Sequence, residues 1–192
     1  LKLQKITLTV IANYFLSFLL LVISAFNSLV SAFLFSSLSI SLFFNCSSEK
    51  IKYSIVSFNW EKIIKVIIVA HMWGRACDFF KLKSICKKGN IFILEDAAEA
   101  LGSYIKKNGY QHCGSIGDIG CLSFNANKII TTGSGGAIIT NNKKFYEKAQ
   151  YLASQAKDDS FSYIHNECGY NYKMNSISAA LGISQLRRLK KK

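Results

Sequence analysis

The chain has 192 residues, 24 Lys+Arg against 11 Asp+Glu for a net charge of +13, 50% hydrophobic residues, six Cys and no Pro. This mixture excludes a disordered chain and suits one globular domain or most of one. The basic excess is no nucleic-acid signature, because the lysines are scattered instead of gathered on one face among aromatics. Average usage would supply about 10 prolines, so their absence points to a biased or damaged coding sequence and says little about fold.

The chain opens on Leu1, ends on Lys190, Lys191 and Lys192 within an amphipathic pattern, and reads as a fragment. Composition divides it near residue 48, since no charged residue stands between Lys5 and Glu49. Residues 1–48 therefore form a hydrophobic N-terminal segment and residues 49–192 a separate part. The apolar run within 12–35 is long enough to cross a bilayer, which takes about 20 apolar residues. Three readings stay open for it: a membrane anchor, a pair of buried strands and a helix, or sequence damaged in an AT-rich gene.

From residue 49 onward the pattern alternates strand and helix, the mark of an α/β fold with a largely parallel sheet. Val66–Ala70 is a continuous apolar run ending at His71, as for a strand buried on both faces. Asp78 to Lys88 reads as a helix with Phe79, Leu82, Ile85 and Cys86 on one side, closed by Gly89-Asn90. Ile91–Leu94 is the next strand and delivers Glu95-Asp96 to its carboxyl end, the edge where open α/β sheets place ligands. Residues 97–103 should start a helix, and Lys106 to Gly117 should form a loop or hairpin. Gly120–Phe124 and Ala137–Thr140 are further strands, the latter ended by Asn141-Asn142. Lys143–Ala153 is a helix, and Ile177–Leu189 is a second, amphipathic one.

Cys46, Cys77, Cys86, Cys113, Cys121 and Cys168 show no C-x-x-C and no zinc-ligand spacing with His. Reduced, mostly buried thiols in a cytoplasmic protein without a metal site are expected. Gly114-Ser-Ile-Gly117-Asp-Ile-Gly120 and Gly133-Ser134-Gly135-Gly136 look like phosphate loops but lack the strand-to-helix context of that function. Tight turns are the expectation for both. His71, His112 and His165 share no spacing and read as structural or loop residues, and Trp73 is expected to pack. Asp118 reads as a turn or cap residue.

Three pieces carry the chemistry: Glu95-Asp96-Ala97-Ala98-Glu99-Ala100-Leu101-Gly102-Ser103, then Gly117 through Ser123-Phe124-Asn125-Ala126-Asn127-Lys128, then Gly169-Tyr170-Asn171-Tyr172-Lys173-Met174. Together they resemble the pyridoxal-phosphate-dependent nucleotide-sugar aminotransferases of the DegT/DnrJ type, over roughly residues 65–189. The resemblance implies an α/β, three-layer large domain of the fold-type I aminotransferases, truncated at both ends. It also implies a cytoplasmic homodimer using pyridoxal 5′-phosphate, a sugar-nucleotide substrate and an amino-acid amino donor. Such chemistry needs a lysine amine that links to the cofactor and moves a proton, and an acid that keeps the ring nitrogen protonated. By that resemblance Lys128 and Asp96 take these roles, Ser123 binds the phosphate and Glu99 borders the ring hydroxyl. Asn171 reaches the phosphate of the neighbouring subunit. Some relatives carry His at the lysine position and act as dehydratases, so Lys128 argues for transamination.

Alone, each residue also has a plainer role: Asp96 as a helix N-cap, Glu99 as compensation of a helix dipole in its first turn, Lys128 as a solvated side chain. Thr7–Asn13 weakly resembles the family strand that carries a ring-stacking aromatic, with Val10 at that position. The Glu-Asp-Ala-Ala-Glu-Ala-Leu-Gly form is most similar to the branch that aminates 4-keto-6-deoxy sugar nucleotides for surface glycans. The alternative function is a non-catalytic remnant or binding protein anchored in a membrane through residues 12–35.

Overall fold

The computed structural model describes residues 7–11, 40–45, 64–106, 109–159 and 161–189, the first two ranges by their backbone. The chain divides into two compact units, one drawn from 1–35 and 123–192 and the other from 36–122. Residues 12–35, the candidate membrane span, lie outside the described residues. No helix among the described residues is long and apolar enough to cross a membrane.

The 36–122 unit is built on parallel strands. Strands β2 (Ile40–Asn45), β3 (Ile64–Ala70), β4 (Phe92–Asp96) and β7 (Ile119–Ser123) lie in the order β7-β4-β3-β2, each pair parallel. The register sets Ile67 beside Ile93, Val69 beside Glu95 and Ala70 beside Asp96, with Asp96 also beside Cys121. Alternation then puts Ile67, Val69, Ile93 and Glu95 on one face and Asp96 on the other. Helix α1 (Phe79–Lys88) supplies Phe79, Leu82 and Cys86 to the core on the Ile67 face, where Ile91 and Ile116 join them. Asp78 caps α1 by accepting from the Lys81 amide, and Lys87 and Lys88 end it, where positive charge favours a helix C-terminus.

Strand β4 runs two residues beyond the apolar stretch that announces it, so Glu95 and Asp96 belong to the strand. The helix expected over 97–103 is absent. Asp96 Oδ1 accepts from the Ala98 amide at 3.1 Å, and Ala100 and Ser103 donate to Ala97 and Ala100 in successive tight turns. Gly102 then adopts φ +87, which ends any helical path. Tyr104–Lys106 (β5) and Tyr110–His112 (β6) form the antiparallel hairpin allowed for this stretch.

In the other unit, β1 (Thr7–Ile11) pairs antiparallel with β8 (Gly136–Thr140), whose five residues are all buried. Helix α2 (Lys143–Ala153) starts on Asn142, whose side chain accepts from the Lys144 and Phe145 amides. It buries Phe145, Ala149, Leu152 and Ala153 and leaves Lys143 and Lys144 in solvent. Helix α3 (Ser176–Arg188), capped by Asn175, departs from its apolar pattern: Ile177, Leu181, Ile183 and Leu186 are exposed and Gly182 is the buried position. The face it turns inward is set by Gly182, where an added Cβ would stand 2.8 Å from Thr132 Cγ2.

Candidate active site

In the 36–122 unit the site grows from the carboxyl ends of β3 and β4. Asp96 ends β4 half-buried, its carboxyl on the face away from α1 and one oxygen held by Ala98. It is a strand residue closing an Asx-type turn, so the N-cap alternative falls away with the missing helix. Glu99 is exposed, and its Oε2 accepts from the Trp73 amide at 2.9 Å. A helix-dipole role for Glu99 falls for the same reason, since the carboxylate fastens the 71–74 turn instead. Trp73 does not pack: it is 80% exposed, in a left-handed conformation at φ 53 that a bulky residue adopts only under constraint.

Behind Asp96 lies an arrangement that reading the residues one by one did not find. Glu95 is fully buried and accepts four hydrogen bonds. Oε1 receives the amides of Ile116 at 2.6 Å and Gly117 at 2.5 Å, and Oε2 receives the Gly114 amide at 2.8 Å and His71 Nε2 at 2.9 Å. Three amides on one carboxyl group make it the acceptor, so His71 Nε2 carries the proton and donates. His71, 1% exposed, also gives its backbone N–H to the Asp96 carbonyl at 2.9 Å. The Gly114–Gly117 turn thus is an anion-binding loop, and its anion is the chain's own Glu95. An acidic residue closing an apolar strand, followed about 20 positions later by a glycine-rich turn, is the signal that pointed to it.

The carboxylates mark the surrounding thiols. Burial, then the charge of Asp96 and Glu95, pushes the Cys121 thiol well up, and burial with Glu95 raises Cys113 to about 11. Among the described residues Cys77, Cys86, Cys113 and Cys121 are buried and Cys168 is exposed, in keeping with the mostly buried thiols expected. Asp118 is a turn residue with a defined duty: its Oδ2 accepts from the Ile93 amide at 2.8 Å while its own amide donates to the Ile93 carbonyl. His112 Nε2 accepts from the Gly102 amide, and His165 Nδ1 lies 2.8 Å from the Gln155 carbonyl.

In the other unit, Ser123 and Lys128, both half-buried, sit at the mouth of a loop closed on Phe124. The Phe124 amide donates to Gly135, and its carbonyl accepts from the Thr132 amide and from Thr131 Oγ1. Lys128 ends a tight turn, donating its amide to Asn125, whose own amide points at Ser123 Oγ from 3.4 Å. Helix α3 secures the far side, since Gln185 Oε1 accepts from the Thr131 amide at 2.9 Å. Asn171 is exposed on a segment bridged to Ser154 at the end of α2, between Tyr170 and Tyr172, whose rings stack at 5.1 Å. Among the described residues no group of His, Cys, Asp and Glu could hold a metal ion.

The profile of the DegT/DnrJ/EryC1/StrS aminotransferase family matches residues 42–192. The chain belongs to this family. It is 40% identical to the GDP-perosamine synthase of Escherichia coli O157:H7 over 124 residues, which cover 65% of this chain and 33% of that one. Among solved structures, PseC of Helicobacter pylori, an aminotransferase of pseudaminic acid biosynthesis, superposes with a TM-score of 0.61 at 32% identity, covering 67% of this chain and 34% of that one. The Streptococcus pneumoniae protein Spr1654 in its PLP form matches with a TM-score of 0.61 at 30% identity, over 68% and 38% of the two chains. The fold is that of fold-type I sugar aminotransferases. The chain spans about a third of the length of the curated relatives it matches.

Proposed function

We propose that residues 49–192 form part of a pyridoxal-phosphate-binding large domain and that the protein is a transaminase acting on a sugar nucleotide. The observation that carries this reading is Asp96 at the carboxyl end of β4, an interior strand of the parallel sheet in its unit, in a chain that also keeps Lys128 on a closed loop after β7. Each unit holds groups that suit the cofactor chemically: Asp96 in one, a carboxylate for a pyridine nitrogen, and Lys128 and Ser123 in the other, an amine for an aldehyde and a hydroxyl for a phosphate. When bound, the cofactor supplies an electron-accepting ring that eases removal of a proton from the carbon bearing the amine. Asp96 would keep the ring nitrogen protonated, Ser123 would donate its hydroxyl to the phosphate and Glu99 would border the ring hydroxyl. Lys128 would supply the amine that holds the cofactor's aldehyde carbon and the base that moves the proton. Asn171, exposed at its bridged segment, would serve the phosphate of a second subunit in a homodimer.

The substrate is a 4-keto-6-deoxy sugar nucleotide and the product its amino sugar, used for surface glycans in the cytoplasm, with an amino acid as amino donor. The relatives support the substrate class through their names, a GDP-perosamine synthase and a UDP-amino-sugar transaminase among them. The test is an absorbance spectrum after addition of pyridoxal 5′-phosphate and desalting, with Lys128→Ala as control. A retained band within about 330 to 430 nm that is lost in the variant is expected. A folded chain with no lysine-dependent band overturns the reading.

A further inference from the structure

We infer that His71 and Glu95 form a positioning pair that fixes Asp96 for the cofactor ring, an inference that rests on the proposed cofactor chemistry. Glu95 precedes Asp96 on β4 and faces the opposite side of the sheet. Its four hydrogen bonds tie the end of β3, through His71, and the 114–117 turn to one carboxylate. The same His71 grips the Asp96 carbonyl through its backbone amide, and Glu99 grips the Trp73 amide two residues on. The peptide that carries Asp96 is therefore clamped at its carbonyl and at the side chain before it, while its own carboxyl lies on the other face of the sheet.

Stability alone does not call for this arrangement. A buried ionic or polar pair is costly to desolvate, and well-packed apolar residues often replace one without loss. What it adds is fixed geometry: each bond has a direction, and together they specify where the β4 terminus stops. The His71 ring lies against Phe79, with 6.1 Å between ring centroids. Its Nδ1 is buried without a partner among the described residues, so Nε2 to Glu95 is the one hydrogen bond of the ring among them.

The experiment compares wild type, His71→Leu and His71→Gln, whose amide nitrogen can stand in for Nε2. Far-ultraviolet dichroism and cooperative unfolding establish the fold, and the two readouts are the dissociation constant for pyridoxal 5′-phosphate and the dichroism induced in its absorbance band. His71→Leu is expected to weaken binding about tenfold or more and to change the induced band, as for other groups that orient a ligand's direct partner. His71→Gln should restore both to near the wild-type values. A folded His71→Leu with wild-type affinity and band overturns the inference. Should that variant fail to fold, Glu95→Gln, which keeps the volume and one acceptor oxygen, is scored on the same readouts, and unchanged values again overturn it. If neither variant folds, the pair is structural only and the inference falls. Failure of wild type to bind the cofactor is a different result: it overturns the functional reading and removes the ground for this one.

Discussion

At Gly120 an added Cβ would stand 1.7 Å from the Gly114 carbonyl oxygen, a separation that requires backbone to move. Gly114 is itself one of the three amide donors to Glu95, so the crowding acts directly on that cluster. Gly120→Ala is expected to destabilise the fold by about 3 kcal/mol or more, combining overpacking with the loss of buried hydrogen bonds. Gly133→Ala is the contrast, because the position has φ +81 and nothing within 4 Å of the added carbon. Only conformational strain opposes it, about 1 kcal/mol. Chemical denaturation of both variants checks the difference, and equal losses would contradict it.

Among the elements, the β5–β6 hairpin is tied to the turn before it by the Gly102 amide, which needs an unprotonated His112 Nε2. Burial lowers the His112 pKa, outweighing the opposing pull of the Cys113 backbone and the Glu95 charge. The unfolded chain therefore takes up this proton first as pH falls. The contribution is intact above the unfolded histidine value of about 6.5 and is lost as pH falls through the lower folded value. Melting temperatures between pH 7.5 and pH 5 should decline in this window, and His112→Gln, which keeps an acceptor but does not titrate, should flatten the decline. Asp158 and Asp159, both lowered chiefly by backbone N–H donors, act only in the more acidic carboxylate range. Helix α3 shows a different logic. It meets the loop after Lys128 through Gly182 and Gln185, a small residue and a polar one, while its larger apolar residues remain outside.

For the molecule as a whole, the elements from residue 64 onward were largely legible because they obey local rules. Apolar runs such as Val66–Ala70 and capped amphipathic stretches such as Lys143–Ala153 announce themselves through period and boundary residues. The misreadings share a physical source, side-chain hydrogen bonds to backbone amides that period and composition do not announce. Residues 97–103 have helical composition, yet Asp96 turns them back on themselves. Trp73 looked like a packing residue, yet Glu99 holds its amide and leaves the ring in solvent. The candidate residues Asp96, Glu99, Ser123, Lys128 and Asn171 were found through resemblance of short motifs, whereas the pairing of His71 with Glu95, which heads one of those motifs without a role of its own, required the register of β3 against β4. Strand β2, inside the apolar first part, was hidden by composition that a membrane span would share.

The Glu95 cluster joins partners 19 to 24 residues away along the chain. Opening any one of those segments strands a buried carboxylate short of donors, so the cheapest excursion is for all of them to open together. Exposure to solvent then becomes collective: the amides of Gly114, Ile116 and Gly117, though they sit in a turn, should exchange with deuterium as slowly as those of β4 and through the same opening event. Faster exchange in the turn, measured by native-state hydrogen exchange, would mean that the loop breathes on its own. A turn is ordinarily where a fold loosens first, and here it is bolted to a buried strand of its unit.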